Sequence, residues 1–296
     1  MKYLFVLIIF FECLICSATN RALIVGIGEY DTDKTGWEKL HGDKDLDLLS
    51  ETLITIGFDK DNIYTLKNEQ ATKRGILAAL KYLSEVTRPG DVVMFHFSGH
   101  GQPVKDLNGD ETNGNDESIV PYDAFKTPKY KNGEKYYQGE NHIIDDELFP
   151  LFNEIKKKVG KSGYFLVTID ACYSRGIEMD AFGNLTPEEQ ARVSGVRGTD
   201  HILKVDERSP LNKVAKPGGY SKMGRMTVIS ACREDEQNFE YKVPGSKEEY
   251  GSLSYTLYKL LRKGKSFSDI EKYFEKKSYS GDKIFIQNQH PKIVVY

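Results

Sequence analysis

Two stretches of this chain run from apolar residues into reactive ones. Residues 91–101 read DVVMFHFSGHG and close on Ser98, Gly99, His100 and Gly101, while residues 164–174 read YFLVTIDACYS and carry Asp170 and Cys172. A thiol is only partly ionised at neutral pH, and a nearby imidazole can take its proton or, once charged, stabilise the thiolate. Such a pair can attack an amide carbonyl. The small Gly99 and Gly101 leave room for a substrate backbone. The amide N–H groups of Gly101 and Cys172 are candidate oxyanion donors, a device worth about 3–4 kcal/mol per donor in other enzymes. Alone, a strand-end histidine or a cysteine after an apolar run is an ordinary core residue. Together, with glycines beside one and a carboxylate beside the other, His100 and Cys172 are a candidate dyad, and their long separation in sequence is no obstacle.

Alternate residues of a strand share a side, so Ser98 and His100 are expected to point one way, and Asp170 and Cys172 one way on their own strand. A buried carboxylate at Asp170 needs a cation or hydrogen-bond donors. A substrate Arg or Lys would serve, and so would an arginine or backbone amide of the protein. His96, deeper in the strand, reads as a core histidine, and Cys232, inside its own strand, as a packed thiol.

The elements that must position these residues alternate. ALIVGIG, NIYTLKN, DVVMFHFS, YFLVTID, MTVISAC and KIVVY read as strands. DLDLLSETLITIGF, ATKRGILAALKYLSEV, DDELFPLFNEIKKKV, GSLSYTLYKLLRK and SFSDIEKYFEKK read as helices. Continuous apolar strands alternating with amphipathic helices predict an α/β fold, a mostly parallel sheet of about six strands with helices on both faces. Residues 102–142 and 175–225 resist the pattern and read as long loops. Both follow strands directly, and in an open parallel sheet ligands bind outside the carboxyl ends of the strands.

The acidic stretch DLNGDETNGNDE spaces its oxygens like a calcium loop, but Glu111 stands where an EF-hand needs glycine, so that motif is excluded. The GIG at 26–28 lacks the third glycine of a dinucleotide fingerprint. A formal net charge of −3 without long like-charge runs gives no reason to expect nucleic acid. Residues 1–18, MKYLFVLIIFFECLICSA, read as a secretory signal cleaved after Ala18, too short to span a membrane, which makes 19–296 one exported domain with no span after signal removal. Of the four cysteines, Cys172 and Cys232 then remain; one disulfide between them is arithmetically open.

Taken in order, RALIVGIGEY, FHFSGHG, DLNGDETNGNDESIVPYD, IIDDEL, IDACYS, VISACREDEQNFE and GSLSYTLYKLL resemble the caspase-like cysteine peptidases, family C14, and most closely the metacaspases and their bacterial relatives. The resemblance spans nearly all of 19–296 and implies a caspase-like sandwich. It implies His100 and Cys172 as catalytic, a peptide or protein substrate with Arg or Lys at P1 (the residue before the cut), and an S1 pocket of Asp45, Ser98 and Asp170. Asp43 and Asp47 are alternatives to Asp45. No cofactor is implied for the chemistry. Calcium is implied as an activator, with Asp116, Asp145, Asp146 and Asp180 as its ligands and Glu178 as the alternative to Asp180. The basic residues Arg192, Arg197, Lys204, Arg208, Lys213 and Lys216 make the loop 175–225 a candidate for self-cleavage. The stretch 126–141 is an insertion near the active face. Two other readings compete: a catalytically silent caspase-like binding module, and a transpeptidase or ligase using the same acyl-enzyme.

Overall fold

The computed structural model describes residues 18–109, 111, 113–172, 185–199, 201–205, 211, 223–233, 236–281, 283–287 and 289–296. The chain begins with β1 (Asn20–Gly26), a single turn α1 (Thr32–Thr35), α2 (Gly42–Thr55), β2 (Ile63–Lys67), α3 (Lys73–Val86) and β3 (Val92–Ser98). Short strands β4 (Gly101–Lys105), β5 (Asn115–Ile119), β6 (Lys129–Lys131), β7 (Glu134–Tyr137) and β8 (Ile143–Ile144) lead to α4 (Asp145–Val159) and β9 (Tyr164–Asp170). Then come α5 (Pro187–Gln190), β10 (Val193–Val196), β11 (Met226–Ser230), β12 (Phe239–Lys242), β13 (Glu249–Gly251), α6 (Ser252–Arg262), α7 (Phe267–Glu275) and β14 (Lys292–Val295).

Six strands form the main sheet in the order β14-β11-β9-β3-β1-β2. Every neighbouring pair is parallel except β11 with β14. The period-two alternation of the strands divides their side chains between two apolar layers. Leu23 and Val25 of β1, Phe95 and Phe97 of β3, and Phe165 and Val167 of β9 pack with α3 and α4 through Ile76, Leu80, Phe152 and Ile155. Ala22, Ile24, Met94 and Leu166 face the other way, onto α2, α6 and α7 through Leu46, Leu49, Leu257, Ile270 and Phe274. On that second face the alternation also puts the polar His96, Ser98, Thr168 and Asp170, all fully buried.

The two predicted loops are not structureless. Within 102–142, β4, β5 and β8 form an antiparallel sheet and β6 and β7 a hairpin; within 175–225, β10 joins β12 and β13. Strands of two to five residues flanked by Asp, Gly and Asn lack the apolar alternation that reveals longer ones, which is why they read as loop. Cys172 and Cys232 are both free thiols. Among the described residues no helix is long and apolar enough to cross a membrane.

Candidate active site

The β3–β9 register aligns Ser98 with Asp170, and each strand stops there. Two residues further on lie His100 and Cys172. The expectation that His100 stays on the side of Ser98 fails because the regular strand ends at Ser98. Gly99 donates its N–H to Asp170 O at 3.3 Å, and the chain turns into β4. The His100 ring stacks on Trp37, with ring centroids 4.8 Å apart, and tilts against Tyr30. Its Nε2–H donates to the carbonyl oxygen of Glu38 at 2.8 Å. A carbonyl can only accept, so the neutral ring keeps its lone pair on Nδ1, which is buried without a hydrogen-bond partner. Burial pushes the imidazole down to about 4, against the pull of the Glu38 carbonyl. His100 is therefore a neutral base at neutral pH, with Nδ1 unused.

Cys172 is fully buried, and its thiol donates to the carbonyl of Glu236 at 3.1 Å. Cys232 lies two residues past the end of β11 rather than inside the strand. A hydrogen bond with Cys172, reinforced by burial, pushes its thiol up, so Cys232 stays protonated beside the candidate nucleophile.

Across both strand ends lies a segment of the chain itself. The N–H groups of Gly101 and Cys172 donate to one acceptor, the carbonyl oxygen of Arg197, at 3.1 and 3.0 Å. The Arg197 N–H donates to Asn238 O at 2.9 Å, continuing the antiparallel pairing of β10 with β12. Gly198 bridges both Gly101 and Cys172. The Arg197–Gly198 peptide bond thus lies beside Cys172 just past the end of β10, with its oxygen held by two amides.

The Arg197 side chain is fully buried in an acidic pocket. Its Nη2 donates to Asp45 Oδ2 at 2.7 Å and to Glu240 Oε1 at 2.8 Å. Its Nη1 donates to Ser98 Oγ at 2.5 Å and to the backbone oxygen of Asp170 at 3.3 Å. The Asp170 carboxylate is 3.9 Å from Nη1 and is satisfied mainly by Asn238 Nδ2 and by the N–H and Oγ of Ser254, each at 2.7 Å. His96 bonds Ser254 Oγ at 3.2 Å and Thr168 at 2.8 Å, so this core histidine braces the donor that holds Asp170. Asp45 also accepts from Ser98 Oγ at 2.6 Å and from the Gly251 N–H at 2.9 Å.

Burying like charges together is costly, and the titration behaviour reflects it. Burial, aided by Asp170 and opposed by Arg197, pushes Asp45 up to about 6. Burial would disfavour the Arg197 cation, but Asp45, Asp170 and Glu240 outweigh it and hold the guanidinium charged. Burial likewise works against the Glu240 carboxylate, and Arg197 with His41 pull it below its ordinary range.

The structure brings Asp45, Ser98, Asp170, His100, Gly101 and Cys172 to one end of the sheet. The alternatives to Asp45 lie elsewhere: Asp43 accepts from the Lys44 N–H at 3.0 Å, and Asp47 pairs with Lys67 at 2.6 Å on the surface. Of the basic residues proposed for self-cleavage, Arg192 is half-buried and donates to the carbonyl oxygens of Glu188 and Lys283, while Arg197 fills the pocket. Arg208, Lys213 and Lys216 lie outside the described residues, as do Asp180 and Glu178 of the calcium set. Asp116 and Asp146 are buried, and the Oδ1 of Asp145 is buried without a hydrogen-bond partner. Burial, then repulsion from Glu117, Asp116 and Asp146, pushes Asp145 up to about 8. Oxygen donors under mutual repulsion suit a hard cation such as calcium.

Sequence reasoning missed Trp37 and the Glu38 carbonyl on His100, and Glu240 with its partner His41 in the pocket. None sits in a chemical pattern. The one available signal was charge, since the buried Asp170 called for a cation. The cation the structure supplies is a protein arginine, Arg197.

A family model described as "Caspase domain" matches residues 19–292. Among curated relatives, Metacaspase-1 of Meyerozyma guilliermondii is 24% identical over 83% of this chain and 62% of its own length. Metacaspase-3 of Arabidopsis thaliana is 29% identical over 70% of this chain and 50% of its own. This chain thus spans about half to two thirds of the length of those relatives. Among solved structures, a Geobacter sulfurreducens protein superposes with a TM-score of 0.64 at 20% identity, covering 94% of this chain and 93% of its own. Caspase-1 from Spodoptera frugiperda does so with a TM-score of 0.52 at 14% identity, covering 94% and 88%. The six-stranded sheet with helices on both faces and the family match over 19–292 lead to one assignment: the chain belongs to the caspase-domain family.

Proposed function

We propose that the chain cuts peptide bonds after Arg or Lys, with Cys172 as nucleophile and His100 as general base, and that its first substrate is its own Arg197–Gly198 bond. The observation that carries this reading is Arg197 itself, with its guanidinium on Asp45 and Glu240 and its carbonyl oxygen on the Gly101 and Cys172 amides. Nδ1 of His100 takes the Cys172 proton, and the thiolate adds to the carbonyl carbon. The oxyanion stays on the two amides, where preorganised donors contribute most. The imidazolium then gives its proton to the leaving amine of Gly198, and water, deprotonated by His100, releases Arg197 from the thioester. Until that cut, the segment 193–198 fills the site and excludes other substrates.

Calcium is proposed as an activator held by Asp116, Asp145 and Asp146. It would supply positive charge to the Asp145 carboxylate, which burial and then repulsion from its neighbours otherwise keep protonated. Export is proposed from residues 1–18. The N–H of Thr19 donates to Asp91 Oδ1 at 2.8 Å, so cleavage after Ala18 would place the new terminal ammonium on a carboxylate.

The test is hydrolysis of fluorogenic peptides with Arg, Lys or Asp at P1 by the wild type and Cys172→Ala, with calcium and with chelator. The expected result is turnover of the basic peptides alone, lost in the variant and stronger with calcium. Turnover of the Asp peptide would overturn the pocket, and turnover by Cys172→Ala would overturn the nucleophile.

A further inference from the structure

The acidic pocket offers its acceptors at one depth only. The four hydrogen bonds of the Arg197 guanidinium fall on its terminal nitrogens, two on Nη1 and two on Nη2, and the Asp170 carboxylate also faces Nη1. The Nε of Arg197 is buried with no hydrogen-bond partner. A lysine ammonium on the same backbone would reach only to the position of the guanidinium carbon, about one bond short of those nitrogens. It would be a single point facing acceptors that lie on two sides. An arginine fork matches such divided acceptors, whereas a lysine is a compact point charge.

Glu240 meets Nη2, whereas Ser98 meets Nη1. Glu240 is almost fully buried and is fixed by His41, the N-cap residue of the helix α2 that also carries Asp45. The His41 N–H donates to its Oε1 at 2.7 Å, and His41 Nδ1 lies 2.7 Å from its Oε2. Glu249 stands 3.7 Å from the same ring nitrogen. Held from backbone and ring at once, the carboxylate cannot swing inward to follow a shorter side chain. Asp45, on the other side of Nη2, is pinned in the same manner by Ser98 Oγ and the Gly251 N–H.

We propose that Glu240, positioned by His41, makes the P1 site select arginine over lysine. The inference rests on the reading of this site as a peptidase pocket for basic residues, and it adds a determinant outside the Asp45, Ser98 and Asp170 set. His41 acts through Glu240 and is a positioning residue. Glu240 touches the P1 side chain itself.

The experiment compares kcat/KM for two peptides that differ only in Arg or Lys at P1, in the wild type, Glu240→Gln and His41→Ala. Inhibition constants for the matching argininal and lysinal peptide aldehydes are measured alongside. Both peptides meet the same population of open enzyme, so the ratio does not depend on how much of it Arg197 keeps closed. Glu240→Gln preserves shape and removes one charged acceptor, so the Arg peptide should lose about tenfold or more, chiefly in KM, and the Lys peptide less than about threefold. His41→Ala should move the ratio the same way by a smaller factor. An unchanged Arg/Lys ratio in Glu240→Gln, or equal losses on both peptides and both aldehydes, would overturn the proposal while leaving the basic pocket intact. A wild type that cuts and binds neither basic peptide would overturn the pocket reading, and this proposal with it.

Discussion

Replacing Gly198 with alanine attacks the most crowded point of the self-bound segment. A Cβ there would stand 2.3 Å from the carbonyl oxygen of Cys172, 2.8 Å from the Cys172 Cβ and 2.9 Å from the carbonyl oxygen of Gly101. Two of these atoms are backbone at the ends of paired strands, so the neighbours cannot rotate away. To regain ordinary van der Waals distances the segment must lift by about 1 Å. That displacement stretches the bonds from the Gly101 and Cys172 amides to the Arg197 oxygen, now 3.1 and 3.0 Å, beyond hydrogen-bonding range. Losing one oxyanion donor costs about 10²–10³-fold, and a misplacement of about 1 Å costs about 10²-fold by itself. Gly198→Ala should therefore cut itself after Arg197 at least about 10²-fold more slowly than the wild type. A gel time course with intact-mass analysis reads this directly. The same variant should let Cys172 react faster with iodoacetamide, since the segment that covers it is raised. Self-cleavage after Arg197 at the wild-type rate would refute the placement of this bond in the reacting position.

Asp45→Asn removes a buried carboxylate from the guanidinium while keeping its shape, and should lower kcat/KM for Arg peptides by about 10²-fold. An effect under threefold would mean that Asp45 does not carry the P1 charge. Burial holds His96 and His100 down to about 4 and His142 to about 3. The unfolded chain takes up protons below about 6.5 while the fold does not, so this stability is complete above pH 6.5 and is lost as pH falls toward 4. The loss is on the order of 2 kcal/mol per histidine at pH 5. His142→Gln should accordingly lose less stability than the wild type between pH 7 and 5 in urea melts, and parallel pH profiles would sink the linkage. Phe152 is buried among Phe95, Phe149 and Phe165, and Phe152→Ala should cost about 3–5 kcal/mol through the cavity it leaves. A cost below 1 kcal/mol, measured by the same melts, would show that this layer collapses around the gap.

The main sheet was legible because its strands are long apolar runs and its helices carry a clear apolar stripe, as at Leu46, Leu49 and Leu53 of α2. Within the strands the register then sets Ser98 beside Asp170. The expected alternation of Ser98 and His100 failed, because nothing in Gly99-His100-Gly101 marks where the ladder stops. The pocket was only partly legible. Asp45 has a position on a helix of readable period, whereas Glu240 and His41 meet across 199 residues with no pattern joining them. Arg197 was visible as one basic residue among several. What sets it apart is that a short strand, β10, delivers its carbonyl to two amides and its side chain to two carboxylates. No spacing rule encodes that.

The most direct test is the mass of the purified chain over time, for the wild type and Cys172→Ala side by side. The expected result is a pair of fragments in the wild type, one ending at Arg197 and one beginning at Gly198, with Cys172→Ala remaining intact at that bond. A cut after Arg197 in both proteins, or a wild type that turns over Arg peptides while 197–198 stays whole, would contradict the self-bound segment as substrate.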